Sequence, residues 1–295
     1  MRVAAVGALV LVGAAPVERV IVVGRPVATT INGVAGTLLV DPGAPSMPIV
    51  SRAYADRLAL KPGMFTIRWL IGPVVLPVTT AVERINLGRG EQKRRIGWVE
   101  RPYRDDVDGA VGPGGLPDNV VRFTLRAPQA GERTVTLPML DAGGLLGGSV
   151  GLFARIDVEG EPVRIRFDLN QPHTLTNAGM ALTLARVHAG TLAEARRSVP
   201  IVFGVVRPVR TMTLARPLAV GPLSITRLDV RTGDFGNADG IASTTAAADP
   251  DEIVVEAKGK RDRSRDRITL GSDALARCSA IVFDKPAKQV RLTCA

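Results

Sequence analysis

Apolar residues occur in this chain mostly in short runs separated by turn-forming residues, a pattern typical of β-strands. One such run, residues 37–40, leads directly into Asp41 and a tight turn. It is preceded by residues 27–31 and by the pair Asn32-Gly33, which strongly favours a hairpin turn. Similar short runs continue to the C-terminus. The pattern therefore predicts a mainly β protein.

Two segments have helical spacing instead. Residues 51–60 begin with Ser51, a good N-cap, and are followed by Pro62-Gly63, which stops a helix. Residues 178–197 also have a helix-like pattern. We therefore expect one short helix after each of two groups of strands.

The surroundings of Asp41 are repeated around Asp168. Both aspartates end an apolar strand, lie eight residues after a glycine and lie four residues before a proline. The glycines and prolines concerned are Gly33, Gly160, Pro45 and Pro172. A lone Asp-Pro-Gly turn is a common surface loop, but the repeated spacing indicates one half-site that occurs twice.

Two further landmarks recur in the same order, which indicates an internal duplication. A hairpin is predicted around Gly72 and again around Gly204, and an apolar-Gly-x-x-x-Leu loop follows at residues 111–116 and 270–275. The 295 residues, with frequent Gly and Pro, suit two lobes of modest size. We expect an N-terminal lobe at residues 16–140, a Gly-rich linker at 141–151 and a C-terminal lobe at 152–295.

The first 15 residues have the pattern of a secretory signal peptide. Met1-Arg2 is followed by an apolar run at residues 3–12 and by small residues at 13–15. The run is too short to span a bilayer, so we favour a cleaved signal over a retained anchor. We therefore expect an exported protein, periplasmic or secreted, without a further transmembrane segment.

The two cysteines agree with export. Cys278 and Cys294 bracket two β-rich runs around a turn at residues 285–288. A hairpin centred on that turn places the thiols opposite one another and within reach of a disulfide, which suits an oxidising compartment. Two unrelated buried thiols are the alternative. With two cysteines and two histidines in the whole chain, we expect no metal site.

A formal net charge of +10 raises the question of a nucleic-acid partner. The densest basic run, residues 258–267, contains two aspartates and no aromatic residue for base stacking, so we interpret it as a solvated hairpin tip. The Gly-rich loop at 108–116 lacks the Lys-Ser/Thr of a phosphate-binding loop. We expect no nucleic-acid partner and no cofactor, although attraction to anionic surfaces stays open.

The repeated order of elements resembles a known family. A strand that ends in apolar-Asp-x-Gly, followed by a short helix, a hairpin and an apolar-Gly loop, is similar to one lobe of a retropepsin-like aspartic protease. Two such lobes in one chain resemble the pepsin-type arrangement, or bacterial exported relatives built from two retropepsin-like units. The resemblance covers about residue 27 to the C-terminus. It implies two homologous acid-protease-like β lobes with short helices and a cleft between them.

The resemblance also implies a chemistry. In this family two carboxylates share one proton and activate a water, so Asp41 and Asp168 correspond to the catalytic pair of a monomeric endopeptidase that acts on peptides or proteins. The hairpins correspond to the flaps that close over a substrate. Substrate-binding positions are then expected at Gly43, Trp69, Gly72, Asn170 and Gly204.

The chain departs from the family pattern beside each aspartate. Pro42 and Leu169 stand where the family has a Thr or Ser hydroxyl, and Asn170 replaces a glycine. Three alternatives to an active protease are two unrelated turn carboxylates, a catalytically silent relative that binds peptides or partner proteins, and a disfavoured binder of anionic surfaces. His173 is interpreted as a polar loop residue rather than part of the site.

Overall fold

The structure, a computed structural model, describes residues 17–141, 150–243, 263 and 265–295. The expected signal peptide, most of the linker and most of the basic run lie outside these residues. The domain boundaries therefore stay predictions.

The first half of the chain is almost entirely β. Its elements are β1 (Glu18–Val22), β2 (Pro26–Ile31), β3 (Val34–Val40), β4 (Ile49–Ser51), α1 (Arg52–Arg57), β5 (Thr66–Ile71), β6 (Val74–Asn86), β7 (Glu91–Val99), β8 (Gly109–Val111), a 3-10 turn (Pro113–Gly115), β9 (Val120–Thr124) and β10 (Arg133–Asp141).

The second half has a similar composition of elements. They are β11 (Leu152–Val158), β12 (Glu161–Phe167), β13 (Leu175–Asn177), α2 (Ala178–His188), β14 (Gly190–Val202), β15 (Val205–Val220), β16 (Leu223–Arg231), β17 (Arg267–Leu270), α3 (Ser272–Leu275), β18 (Cys278–Asp284) and β19 (Gln289–Cys294). The prediction of a mainly β protein is confirmed.

The strands form two sheets, one of which contains strands from both halves. The smaller sheet has the order β2-β3-β8-β4-β7-β6-β5 and belongs to the first half alone. The larger has the order β1-β9-β18-β19-β10-β11-β12-β17-β13-β16-β15-β14. Within it β9 pairs with β18 and β10 pairs with β19, all antiparallel, so the two halves are joined by main-chain hydrogen bonds.

The internal duplication is visible in the strand pairings. The strand that leads to each aspartate runs parallel to the strand that precedes the apolar-Gly loop, with Val40 opposite Val111 and Phe167 opposite Leu270. That second strand is in turn antiparallel to β4 in the first half and to β13 in the second. The repeated sequence landmarks are therefore neighbours in space in both halves.

Both predicted helices exist but are shorter than the sequence suggested. Ser51 caps α1 by accepting a hydrogen bond from the Tyr54 amide at 3.2 Å, and α1 ends at Arg57 rather than near residue 60. The prediction that the second helix reaches residue 197 is wrong. Ala189 adopts a left-handed conformation (φ 49°), which ends α2 at His188, and β14 begins at Gly190.

The predicted disulfide is present. Cys278 on β18 and Cys294 on β19 are register partners around the turn at residues 285–288, and both are buried. The bond joins two adjacent strands of the larger sheet, β18 and β19. No helix in the described parts of the chain is both long and apolar enough to cross a membrane.

Candidate active site

Asp41 and Asp168 occupy equivalent positions, each just after the strand that runs beside an apolar-Gly loop. The amide of Asp41 donates to the Val111 carbonyl at 3.1 Å, and the amide of Asp168 donates to the Leu270 carbonyl at 3.0 Å. The exposed fractions of the two residues are 3% and 6%, so both carboxylates are withdrawn from solvent.

Backbone amides hold each carboxylate within its own turn. The Gly43 amide donates to Asp41 Oδ1 at 2.7 Å, and the Asn170 amide donates to Asp168 Oδ1 at 3.1 Å. These bonds come from residues two positions after each aspartate and do not involve the side chains of Pro42 or Leu169. The geometry of both turns is therefore set without a hydroxyl at those positions.

The two turns pack directly against each other, which requires glycine at position 43. A Cβ atom added to Gly43 would lie 2.7 Å from the Phe167 carbonyl oxygen and 2.9 Å from Asp168 Cγ. Both distances are too short for a non-bonded contact. Gly43, predicted as a substrate-binding position, lies in the contact between the two turns, and the structure brings the two aspartates together.

Gly112 and Gly271 allow the apolar-Gly loops to pass close behind the turns. A Cβ on Gly112 would lie 2.2 Å from the Ala44 carbonyl oxygen, and one on Gly271 would lie 2.5 Å from the His173 carbonyl carbon. His173 itself is exposed, and its backbone forms this contact. The loops thus support the turns from behind in both halves.

Asn170 links the two turns through its side chain. Its Nδ2 donates to Asp41 Oδ2 at 2.7 Å and lies 3.5 Å from the hydroxyl of Tyr103. Tyr103 in turn donates to Asp41 Oδ1 at 3.5 Å. The amide that replaces a glycine in the second turn therefore supplies a hydrogen bond across the pair.

Arg166 distinguishes the second half from the first. It lies two residues before Asp168 on β12 and so on the same face of the strand, whereas the corresponding residue in the first half is Leu39. Its Nη2 lies 3.9 Å from Asp168 Oδ2 and donates to the Gly43 carbonyl. Sequence reasoning identified neither Arg166 nor Tyr103 as part of the site. For Arg166 the signal was an arginine between two apolar strand residues, two positions before the aspartate.

The surroundings favour a proton on the pair near neutral pH. Burial raises the pKa of Asp41 from 3.8 to about 7, and the charge of Asp168 adds to the rise. Burial also raises the pKa of Asp168, but the Arg166 guanidinium opposes this shift. Burial raises the pKa of the Tyr103 hydroxyl, which therefore stays protonated. Because the cation lies beside Asp168, the pair is best described with its negative charge on Asp168 and its proton on Asp41.

The two predicted flap hairpins contact each other through aromatic side chains, and each reaches the opposite half. A Cβ on Gly72, between β5 and β6, would lie 2.1 Å from Asp234 Oδ1. The carbonyl of Gly204, between β14 and β15, accepts from Arg101 Nη1 at 3.2 Å. The Trp69 ring lies 5.6 Å from that of Phe203, which adjoins Gly204. The predicted substrate-binding positions Trp69, Gly72 and Gly204 thus lie where the two hairpins contact each other and the opposite halves.

The described residues contain no group of three or more His, Cys, Asp or Glu side chains that could hold a metal ion. The site consists instead of two buried carboxylates, one phenol, one amide and one guanidinium. Such a set can hold and move a proton between opposed carboxyl groups.

No protein-family model and no curated protein matches the chain. Among solved structures, the chain is similar to the aspartic proteinase from Irpex lacteus, with 14% identity over 92% of this chain and 94% of that chain and a TM-score of 0.41. It is also similar to the retroviral protease-like domain of Ddi1 from Leishmania major, with 21% identity over 30% of this chain and 71% of that chain and a TM-score of 0.23.

Proposed function

We propose that the chain is an exported aspartic-type endopeptidase that hydrolyses peptide bonds with Asp41 and Asp168. The observation that carries this proposal is the direct packing of two equivalent Asp turns, which buries both carboxylates side by side. Two turn carboxylates that shared no site would not need a glycine at position 43 in close contact with Asp168.

In the proposed mechanism the two carboxyl groups have different protonation states. Ionised Asp168 accepts a proton from a water that attacks the scissile carbonyl, and protonated Asp41 donates its proton to the carbonyl oxygen, which gives a gem-diol. Asp168 then donates its proton to the amide nitrogen, the C–N bond breaks, and Asp41 regains a proton from a gem-diol hydroxyl. Asn170 and Tyr103 position Asp41 through their hydrogen bonds. Arg166 stabilises the negative charge on Asp168 before the reaction.

Substrate access in this proposal depends on the hairpins. Trp69 packs against Phe203, and Phe203 packs against Tyr103, whose hydroxyl contacts Asp41. In this proposal the tips around Gly72 and Gly204 therefore separate before a peptide reaches the carboxylates. Both aspartates come from one chain, so a monomer suffices for the catalytic pair.

Cleavage of a peptide mixture tests the proposal. Mass spectrometry of digests at pH 3 to 8 should reveal cleavage by the wild type, whereas Asp41→Asn and Asp168→Asn should each abolish it. Asp239→Asn, which changes an exposed aspartate, is the matched control and should cleave like the wild type. Cleavage that survives either substitution in the pair contradicts the assignment.

A silent peptide-binding protein is the second candidate. The exposed fractions of 3% and 6% and the closed hairpins favour it, because a hydrolytic pair must admit water and substrate. It predicts peptide binding without turnover at every pH, unchanged by Asp41→Asn. Export is tested separately by fractionating expressing cells and determining the mature N-terminus, which we expect near residue 15.

A further inference from the structure

An arginine cluster lies beside Asp168. Arg166, Arg231 and Arg267 line one small cavity together with Asp168 and Gln171. They come from β12, β16 and β17, so a single sheet presents all three guanidinium groups.

Positive charge exceeds negative charge in this cluster. Arg207 and Arg231 both approach Asp234, with Arg207 Nη2 at 2.6 Å and Arg231 Nη1 at 3.1 Å from its carboxylate. Asp168 faces Arg166. Among these described residues, four guanidinium groups therefore lie near two carboxylates, those of Asp168 and Asp234.

Part of the cluster lacks hydrogen-bond partners. Arg231 is 3% exposed; its Nη1 is paired with the Asp234 carboxylate at 3.1 Å, but its Nε makes no hydrogen bond within the described chain. Nε of Arg267 is also buried without a partner there. Burial and the neighbouring arginines lower the pKa of Arg231 and of Arg267. Buried guanidinium nitrogens without hydrogen-bond partners are costly, and the cluster carries excess positive charge, so it is suited to accept an anion.

The cluster opens into a larger cavity between the two hairpins. This cavity has a volume of about 240 Å³ and shares Arg166 and Arg267 with the smaller one. Trp69, Leu70 and Phe203 form apolar parts of its wall. Its volume is below that of typical pockets for drug-sized ligands, so it suits one amino-acid side chain.

We propose that these adjoining cavities bind a carboxylate-bearing side chain of the substrate, so that cleaved peptides carry Glu or Asp beside the scissile bond. The inference rests on the proposed function and names its substrate class. The apolar wall receives the methylene stem, and Arg267 with Arg231 behind it receives the carboxylate. Guanidinium groups match carboxylates in geometry as well as in charge.

Paired peptides test the recognition step apart from catalysis. Calorimetry with the Asp41→Asn variant measures the binding of two octapeptides. Both peptides are acetylated and amidated, and they differ only in carrying Glu or Gln at one position. We expect the Glu peptide to bind about 10- to 100-fold more tightly, as for a hydrogen bond to a charged group. A third peptide, with Gln and a free C-terminal carboxylate, shows whether the anion comes from a side chain or a chain end. Equal affinity of all three peptides overturns the proposal.

Arginine variants assign the effect to the cluster. In the same background, Arg267→Gln should abolish the preference for Glu and Arg267→Lys should retain part of it, while Arg227→Gln, at an exposed arginine, should leave it unchanged. If Arg267→Gln does not fold, the salt dependence of binding to Asp41→Asn tests the same point. Added NaCl should weaken binding of the Glu peptide and leave binding of the Gln peptide unchanged. A preference that persists in folded Arg267→Gln, or that ignores salt, contradicts the assignment.

Failure of this proposal is distinguishable from failure of the proposed function. If the wild type cleaves Glu and Gln peptides at equal rates, the protease activity is supported and the pocket for acidic side chains is contradicted. If Glu peptides bind more tightly but no peptide is cleaved, the pocket is supported and the protease activity is contradicted.

Discussion

The side-chain amide of Asn170 lies 2.7 Å from Oδ2 of Asp41, so the turn of the second half binds the carboxylate of the first. No residue of the first turn makes the reciprocal bond, because Gly43 occupies the equivalent position. The duplicated site is therefore asymmetric in its hydrogen bonds as well as in its charges. This asymmetry assigns different roles to two residues of the same type.

Removing the Asn170 amide should impair catalysis more than stability. In Asn170→Ala, the protonated Asp41 loses a hydrogen bond that positions it, and a hydrogen bond between neutral groups contributes about 0.5–1.5 kcal/mol. We expect kcat/KM to fall about 2- to 10-fold, with little change in the thermal midpoint because the residue is exposed. Asn237→Ala, at another exposed asparagine, serves as the control. An unchanged kcat/KM would show that the contact does not position Asp41.

The rate of peptide cleavage should fall above neutral pH. The pKa of Asp41 is about 7, so the pair loses its shared proton as the pH passes that value. At low pH both carboxyl groups are protonated and no base remains, which gives a bell-shaped profile of kcat/KM. Initial rates from pH 3 to 9 on one peptide measure both limbs. A rate that still rises above pH 8 would contradict the assignment of Asp41.

Stability should also depend on the protonation of Asp41. A folded-state pKa raised from 3.8 to about 7 means that the folded protein holds this proton more tightly than the unfolded chain does. The contribution is therefore fully present below pH 3.8 and is lost as the pH rises to about 7. Urea titrations at pH 4 and at pH 7.5 measure the free energy of unfolding. From the lower to the higher pH, this free energy should fall by up to about 4 kcal/mol more for the wild type than for Asp41→Asn. A constant difference between the two proteins would exclude the raised pKa.

Adding one methyl group at position 43 should separate the turns. A Cβ there would lie 2.9 Å from Asp168 Cγ, and overpacking of this kind costs about 1–3 kcal/mol. We expect Gly43→Ala to lower the free energy of unfolding by that amount and to abolish cleavage. Gly240→Ala is the control, because nothing lies within 4 Å of its Cβ. Full activity of Gly43→Ala would show that close contact of the turns is dispensable.

Loss of the disulfide should destabilise the protein without altering its site. The double variant Cys278→Ala with Cys294→Ala removes a link between β18 and β19, and native disulfides typically contribute about 2–4 kcal/mol. The urea midpoint should fall, while the pH profile of cleavage at low temperature should keep its shape. A changed profile would indicate that the hairpin of β18 and β19 supports the carboxylates directly.

Local patterns in the sequence predicted much of the fold. The Asn32-Gly33 turn, the hairpin around Gly72 and the pairing of the cysteines follow from short-range alternation and turn chemistry. The equivalence of Asp41 and Asp168 followed from repeated spacing. The end of α2 did not, because helix-like periodicity continues past Ala189 into a strand.

Contacts between distant parts of the chain were beyond such patterns. Tyr103 reaches Asp41 from a loop 62 residues away, and no motif marks it. Arg166 was visible in sequence, but its contact with Gly43 depends on how the two turns pack. The pairing of β9 with β18 also depends on how the two halves associate.

The place of the last strand has a consequence for biosynthesis. β19 lies between β18 and β10 in the larger sheet, although its residues, Gln289–Cys294, are synthesised long after β10 (Arg133–Asp141). Neither β10 nor β18 can complete its pairing until β19 has left the ribosome. Until then the nascent chain presents open strand edges, which promote association with other chains. Chains that end before residue 289 should therefore aggregate rather than accumulate as a folded half.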